Sequence, residues 1–460
     1  MTLIKNISGF RGTVGGPPKE NLTPFDIVTS VSAFCKFLKE KYNTKELIVT
    51  TGRDGRASGE NFHIIVNRTI SLMGIDVIDA GLSTTPTLCW GVLTNKSNGG
   101  IMITASHNPE EYNGLKFFNE DGEFLSREDM NKVIEYSNTT DFEYQNTMNL
   151  GSINPYNSLI EDHVDEILNL DIIPVEKIRS MEIKIVVDAI NSGGAIAIPL
   201  LLDKLSVKYK LINGEISGKF SHTPEPLVEN LTQLSKEVKN ENADFGIAVD
   251  PDVDRLVFFD ENGVIFGEEY TQVVCSDYVL SKKKGNTVST LSSSNAMRDI
   301  TIKHGCEYFH TAVGEMNVVK KMKEVNAVVG GEGGGGIIYP DLHYGRDALI
   351  GTALFLSLLT TTKEKVSEIK SRYSLYFMSK LKIKLDVNLD VDSILSSISD
   401  KYSKYNPILI DGVFIEFDSS WVHLRKSNTE PIIRIYAESE GEKKATSFAE
   451  KMITEIKELI

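Results

Sequence analysis

Three aspartates stand at alternate positions in Asp250-Pro251-Asp252-Val253-Asp254-Arg255, directly after the apolar run Phe245 to Val249. Carboxylates set that close repel one another unless a cation sits among them, and hard oxygen donors suit Mg²⁺ or Ca²⁺. The calcium-loop pattern fails, because its sixth position is Arg255 where that loop needs glycine. A solvated acidic turn is the bland reading, and the apolar strand ahead of the cluster weighs against it. A second segment, Thr104-Ala105-Ser106-His107-Asn108-Pro109, also follows an apolar strand, Gly100 to Ile103. A serine held on a loop at the end of a strand is where catalysis tends to sit. Asn113-Gly114-Leu115-Lys116 follows, and its lysine can bring positive charge or a proton to the serine oxygen. On this segment alone Ser106 is equally a turn serine before Asn-Pro or a nucleophile.

Two further segments read as ligand loops. Gly330-Gly331-Glu332-Gly333-Gly334-Gly335-Gly336 cannot be helix or regular strand. Its backbone can approach a ligand closely, and Glu332 can accept hydrogen bonds from hydroxyls. The alternative is a hinge, against which stand the apolar flanks Val328-Val329 and Ile337-Ile338. Arg425-Lys426-Ser427-Asn428-Thr429-Glu430-Pro431, followed by Arg434, puts hydroxyls and loop backbone between guanidinium groups. That is an anion pocket or a polar hairpin loop. Phe10-Arg11-Gly12-Thr13-Val14-Gly15-Gly16 is uninformative by itself.

The elements that must carry these residues alternate. Leu47 to Thr50, Ile183 to Val187 and Thr287 to Leu291 are apolar strands, each running into a polar or glycine-rich loop and then a helical pattern. This predicts three related α/β units with mostly parallel sheets. Thr23-Pro24-Phe25-Asp26 and Ser126-Arg127-Glu128-Asp129 read as helix starts. Ala348 to Leu359 is apolar but too short to span a bilayer, and reads as a buried helix. The last 80 or so residues change character. Strand patterns at Leu381 to Leu385, Trp421 to Leu424 and Ile432 to Tyr436, a predicted hairpin around Asp411-Gly412, and helices through Ile394 and from Glu442 describe an α+β domain with an antiparallel sheet.

The chain has 460 residues, enough for several cores, with 41% hydrophobic and 25% charged residues. A formal net charge of −15 argues against nucleic-acid and anionic-membrane partners. A small phosphorylated ligand stays open, since local Arg, Lys and backbone N–H groups decide its binding. The four cysteines, Cys35, Cys89, Cys275 and Cys306, share no metal-ligand spacing and read as reduced core residues of a cytoplasmic protein; no signal-peptide pattern opens the chain.

In their order along the chain, the five chemical segments resemble the α-D-phosphohexomutase family, which includes phosphoglucomutase, phosphomannomutase and phosphoglucosamine mutase. The resemblance covers essentially the whole chain. It implies three similar α/β/α domains plus a smaller C-terminal α+β domain around a central cleft, with boundaries expected at 1–150, 151–257, 258–373 and 374–460. It implies a phosphoserine at Ser106, and Mg²⁺ held by Asp250, Asp252, Asp254 and the seryl phosphate. Lys116 and Arg255 then lie at the transferring phosphoryl group, Arg11 and Lys116 serve proton transfer, and His107 is an active-site histidine. Glu332 and Gly334 belong to the sugar loop, and Arg425, Ser427, Asn428, Thr429 and Arg434 to the loop holding the non-reacting phosphate. The implied reaction interconverts hexose 6-phosphate and hexose 1-phosphate through a sugar bisphosphate. The start of the chain and its glycine loop look most like phosphoglucosamine mutases, with phosphoglucomutase or phosphomannomutase as the alternative. Relatives usually carry serine, and often histidine, where Gly334 and Gly336 stand, and glycine where Asn428 stands.

Overall fold

The computed structural model describes residues 1–44, 46–386, 389–426 and 432–460. The chain divides into two compact units, Met1–Thr271 with Gly334–Ser367, and Gln272–Gly333 with Glu368–Ile460.

In the first unit, a sheet runs in the order Ile4–Asn6, Gly9–Thr13, Tyr112–Phe118, Gly99–Ile103, Ile48–Arg53, Asp76–Leu82, Ile153–Pro155. Ile48–Arg53 is parallel to both its neighbours. The half nearer the N-terminus is antiparallel, so the sheet is mixed where the sequence suggested mostly parallel pairing. The reason is local. Residues 104–111 are too few for a crossover helix, so Tyr112–Phe118 must return beside Gly99–Ile103 in the opposite sense. That return brings Lys116 opposite Met102, near the end of the strand that leads to Ser106.

Helices cover this sheet. Pro24–Tyr42 opens with the capping box expected of Thr23 and Asp26, and Arg127–Tyr136 with the Ser126 cap. Ile27, Val31, Phe34 and Leu38 lie on one helical face and pack with Val49, Ile101 and Phe117. A second sheet of the unit has the order Leu256–Phe259, Phe245–Val249, Lys184–Asp188, Lys208–Ile212. All five residues of Phe245–Val249 are buried, as the apolar run before the aspartates required. Ala348–Leu359 is buried along its whole length, and Phe355 stacks on Phe258 at 4.0 Å between ring centroids. Burying each such large side chain is worth roughly 1.5–3 kcal/mol, which fixes the strands that flank the acidic loop.

In the second unit, Thr287–Thr290 lies parallel between Tyr308–Thr311 and Val329–Glu332. The C-terminal sheet is antiparallel in the order Phe377–Lys384, Ile432–Ser439, Ser420–Lys426, Val413–Phe417. Glu442–Lys457 and Val391–Lys401 contribute Met452, Ile456, Ile394 and Ile398 to the core on this sheet. The hairpin expected around Asp411-Gly412 is reduced to one bridge, Ile408 with Phe414, and Leu409 and Ile410 are exposed. The Asp411 carboxylate instead accepts from the Val313 N–H at 2.9 Å and pairs with Arg425 at 2.7 Å, which draws the turn out of hairpin register.

The architecture is three α/β/α modules followed by a domain with an antiparallel sheet. Cys35, Cys89 and Cys275 are buried, while Cys306 is half-buried. Among the described residues no helix is long and apolar enough to cross a membrane.

Candidate active site

Ser106 stands just beyond Gly99–Ile103 with φ at +48°, in the left-handed region that a non-glycine residue rarely enters. What holds it there is Arg56, whose guanidinium is buried with every N–H used. Nη2 donates to the carbonyls of Ser106 and Asn108, both at 2.6 Å. Nη1 donates to those of Pro109 at 2.7 Å and Tyr112 at 2.8 Å, and Nε to Asp54 Oδ2 at 3.2 Å. Thr104 Oγ1 donates to the same Asp54 oxygen at 2.7 Å and accepts the Ser106 N–H at 2.8 Å. Burial pushes the Asp54 carboxyl above its ordinary range, partly offset by Arg56 and Thr104. One fork of five donors thus fixes the whole serine loop.

The serine hydroxyl points at the acidic loop. Its Oγ donates to Asp250 Oδ2 at 3.1 Å and lies 3.3 Å from His107 Nδ1. The acidic loop is strained too, since Val253 has φ at +64°, a conformation costly for a β-branched residue. Its reward is local: the N–H groups of Asp254 and Arg255 both donate to Asp250 Oδ1 at 3.1 Å. Thr85 secures the centre of the loop, donating through its N–H to the Asp252 carbonyl at 2.9 Å and through its hydroxyl to Asp252 Oδ2.

Positive charge surrounds the carboxylates. Lys116 Nζ lies 2.6 Å from Asp252 Oδ2 and 3.0 Å from Asp254 Oδ2, and Arg346 Nη2 lies 2.8 Å from Asp254 Oδ2. Burial works against the charged form of Lys116, but Asp252 and Asp254 more than offset it and hold the amine protonated. Burial would likewise raise Asp254, yet Arg346, Lys116 and Arg255 bring it below the usual carboxylate range. Asp250 is raised well above that range by burial and by the charges of Asp254 and Asp252. His107 is lowered to about 2 by burial and by the charge of Arg255, with Arg11 and Arg346 adding to it, so its imidazole is neutral. Arg11 Nη1 donates to Asn108 Oδ1 at 3.2 Å.

The three aspartates are buried, and one oxygen of each lies within 4.8 Å of the others. Asp252 Oδ1 and Asp254 Oδ1 have no hydrogen-bond partner among the described residues. Buried carboxylate oxygens left over in this way fit a hard cation that would take them as ligands.

The first unit thus brings together Arg11, Ser106, His107, Lys116, Asp250, Asp252, Asp254 and Arg255, with Gly334 beside Arg255. A Cβ built on Gly334 would lie 3.8 Å from Arg255 Nη1 and meet nothing nearer. In the second unit, Glu332 accepts the Gly314 N–H at 2.9 Å. The adjacent Val313 N–H meets Asp411, the partner of Arg425, so Glu332 and Arg425 are joined through neighbouring peptides. Arg434 is exposed, opposite Arg425 in the sheet. Ser427, Asn428 and Thr429 lie outside the described residues.

Sequence reasoning missed Arg56, Asp54, Thr85 and Arg346. Asp54 and Arg56 had a weak signal, lying in a strand-to-loop segment of the same shape as the other chemical loops. Arg346 had none. It reaches Asp254 because Gly336 leaves room: a Cβ there would lie 2.3 Å from Arg346 Cδ.

Four consecutive stretches match the family models of phosphoglucomutase/phosphomannomutase: α/β/α domain I over residues 3–144, domain II over 161–263, domain III over 268–376 and the C-terminal domain over 379–455. A phosphoglucomutase/phosphomannomutase from Thermococcus kodakarensis is 35% identical over 455 residues, 98% of each chain. A phosphoglucosamine/phosphogalactosamine mutase from Sulfurisphaera tokodaii is 33% identical over 470 residues, 100% of this chain and 99% of that one. The same fold is seen in the crystal structure of a phosphoglucomutase/phosphomannomutase family protein from Burkholderia thailandensis, with a TM-score of 0.85 at 23% identity over 99% of this chain and 97% of that one. The chain belongs to the phosphoglucomutase/phosphomannomutase family, the α-D-phosphohexomutases, and is a phosphosugar mutase.

Proposed function

We propose that this mutase interconverts glucosamine 6-phosphate and glucosamine 1-phosphate through a phosphorylated Ser106. The observation that carries the reading is the serine oxygen itself. It is held in a strained loop by Arg56 and aimed at Asp250, at the edge of buried carboxylates that retain oxygens without partners. Asp250, Asp252, Asp254 and the phosphate on Ser106 would hold Mg²⁺, which when bound would neutralise charge on the transferring phosphoryl group.

The remaining chemistry belongs to the chain's own residues. In the forward half-reaction the bond from phosphorus to Ser106 Oγ breaks as a sugar hydroxyl oxygen bonds to phosphorus, and the hydroxyl proton ends on Ser106 Oγ. The product is a sugar bisphosphate. After it turns over, its other phosphoryl group returns to Ser106 and the proton moves back. Lys116, kept cationic by its two aspartates, stabilises the charge on the serine side and can lend a proton to the departing oxygen. Arg255 and Arg11 add charge around the phosphoryl group, and His107 lies beside the serine oxygen. Glu332 is the ligand for sugar hydroxyls, and Arg425, Ser427, Asn428, Thr429 and Arg434 hold the distal phosphate.

The amino sugar is favoured by the relatives named for it. The relative named phosphoglucomutase/phosphomannomutase supports the second reading, the same mechanism on glucose or mannose phosphates. Assaying glucosamine, glucose and mannose 6-phosphates side by side decides between them: the highest kcat/KM belongs to glucosamine if the proposal holds. Ser106→Ala is expected to abolish activity on all three, together with the mass of one phosphoryl group on the intact protein. Turnover within tenfold of wild type would end the phosphoserine mechanism itself.

A further inference from the structure

A second group of metal-ligating side chains lies in the first unit, apart from the aspartate triad. His163, on the helix Leu159–Asn169, and His343 converge on Asp347, the N-cap of the helix Ala348–Leu359. All three are buried. Asp347 uses Oδ1 to cap its helix, accepting from the N–H groups of Leu349 at 2.7 Å and Ile350 at 3.3 Å. Its Oδ2 faces both imidazoles, 3.3 Å from His163 Nε2 and sharing a hydrogen bond with His343 Nε2 at 3.3 Å. His163 Nε2 and His343 Nδ1 have no hydrogen-bond partner among the described residues. At Nδ1, His163 is oriented by the Thr87 hydroxyl at 3.0 Å, and Trp90 stacks on its ring at 5.3 Å between centroids.

A buried nitrogen 3.3 Å from a carboxylate oxygen, yet not in line to share a proton with it, is poorly served by hydrogen bonding alone. The same separation suits a shared metal. At ligand distances of about 2.0–2.1 Å, the edge of a tetrahedron around zinc is about 3.3–3.4 Å. Two of the three edges of this triangle already have that length, and one ligand atom from each residue lies within 4.8 Å of the other two. Two imidazoles and one carboxylate, with an oriented outer nitrogen on one ring, make a zinc donor set with one position left for a fourth ligand. We propose that His163, His343 and Asp347 bind a zinc-class divalent cation at a site separate from the aspartate triad.

Protonation agrees with this donor set. Burial holds His163 below its ordinary value, so the ring is neutral and its lone pair available. The position gives the site a task. Thr87 shares the helix Thr85–Thr94 with Thr85, which grips Asp252, and Asp347 follows Arg346, which grips Asp254. A cation here braces the two elements that hold the catalytic carboxylates.

The test is cobalt binding to the full chain after chelation, with excess Mg²⁺ present to occupy the aspartate triad. One equivalent of Co²⁺ is expected to give the intense visible absorption of a four-coordinate ion, displaced by Zn²⁺. Only the weak absorption of six-coordinate cobalt, or no binding, would overturn the site. X-ray absorption on the zinc-loaded wild type should show imidazole scattering, and its absence would be equally decisive without any variant. His163→Gln and His343→Gln are expected to lose the cobalt signal while remaining folded, as thermal unfolding would show. An unchanged spectrum in both would refute these ligands. Because the readout is metal at the histidines, failure here is distinguishable from failure of the Ser106 mechanism.

Discussion

Arg56→Lys puts the serine clamp to a quantitative test. The guanidinium makes five hydrogen bonds, to the carbonyls of Ser106, Asn108, Pro109 and Tyr112 and to Asp54. A lysine keeps the charge but has three donors, so at least two acceptors lose theirs. Hydrogen bonds from a charged donor are worth about 1.5–3 kcal/mol each, giving a loss on the order of 3–6 kcal/mol if the loop stays in place. The loop has a cheaper response. Ser106 gives up ~1–3 kcal/mol of backbone strain by leaving its left-handed conformation. The loop should therefore relax, and only the fraction that regains the strained geometry can transfer phosphate. At about 1.4 kcal/mol per tenfold in rate, kcat is expected to fall ~10–100-fold. KM should change little, because no sugar contact is altered. Steady-state kinetics, with thermal unfolding to confirm a folded protein, measures this. A kcat within threefold of wild type would refute the claim that Arg56 positions the nucleophile.

Gly336→Ala should act on the aspartates from a distance. Its Cβ would meet Arg346 Cδ at 2.3 Å, so the arginine must withdraw from Asp254, and kcat/KM should drop by roughly tenfold. Wild-type kinetics in that variant would show that Arg346 is dispensable. Chelation with EDTA should inhibit reversibly, with Mg²⁺ restoring turnover, and full activity in the chelator would remove the metal from the mechanism. His222 supplies a pH test of stability. Burial disfavours its charged form, but hydrogen bonding to Asp188 at 3.1 Å and that residue's charge more than offset this, raising its pKa above the ordinary 6.5. Its contribution is therefore fully present below the unfolded value and is lost as pH rises through the folded one. Thermal melts across this window should show that loss in wild type and not in His222→Gln; equal pH profiles would disprove the pairing.

The parts of the site legible in the sequence are those whose chemistry is contiguous. Asp250, Asp252 and Asp254 lie within one turn of chain, and Ser106 and Lys116 flank one return between neighbouring strands. The residues that make these groups work were not legible, because their partners are distant in sequence. Arg56 meets Ser106 across 50 residues, Arg346 meets Asp254 across 92, and Thr85 meets Asp252 across 167. Nor does any local pattern announce a left-handed valine at 253, where neither turn chemistry nor propensity favours it. The Asp411-Gly412 hairpin pairs only Ile408 with Phe414, for the complementary reason. Its local signal was sound, but Val313 and Arg425 offered the aspartate stronger partners than the hairpin did.

Charge balance explains why the strain at Ser106 and Val253 is sustained together. Asp250, Asp252 and Asp254 are gathered in a buried space, where their repulsion is strong. Lys116 and Arg346 are drawn onto them by ion pairs, and Arg255 follows the last aspartate in the chain. Lys116 and Arg346 thus sit directly on Asp252 and Asp254, with the charge of Arg255 close by. A seryl phosphate would add a charge of about −2, and a divalent cation would cancel it. The phosphorylated serine with its metal would therefore leave no more net charge in the buried site than the free serine without it. A chain that carries an excess of acid overall can consequently handle a phosphorylated substrate. What matters is that Gly336 leaves a path for Arg346 and that Lys116 stands on the strand returning beside the serine loop. Losing either cation would leave Asp252 and Asp254 undercompensated in a buried space, so the strand that positions Lys116 and the glycine that admits Arg346 also set the site's electrostatics.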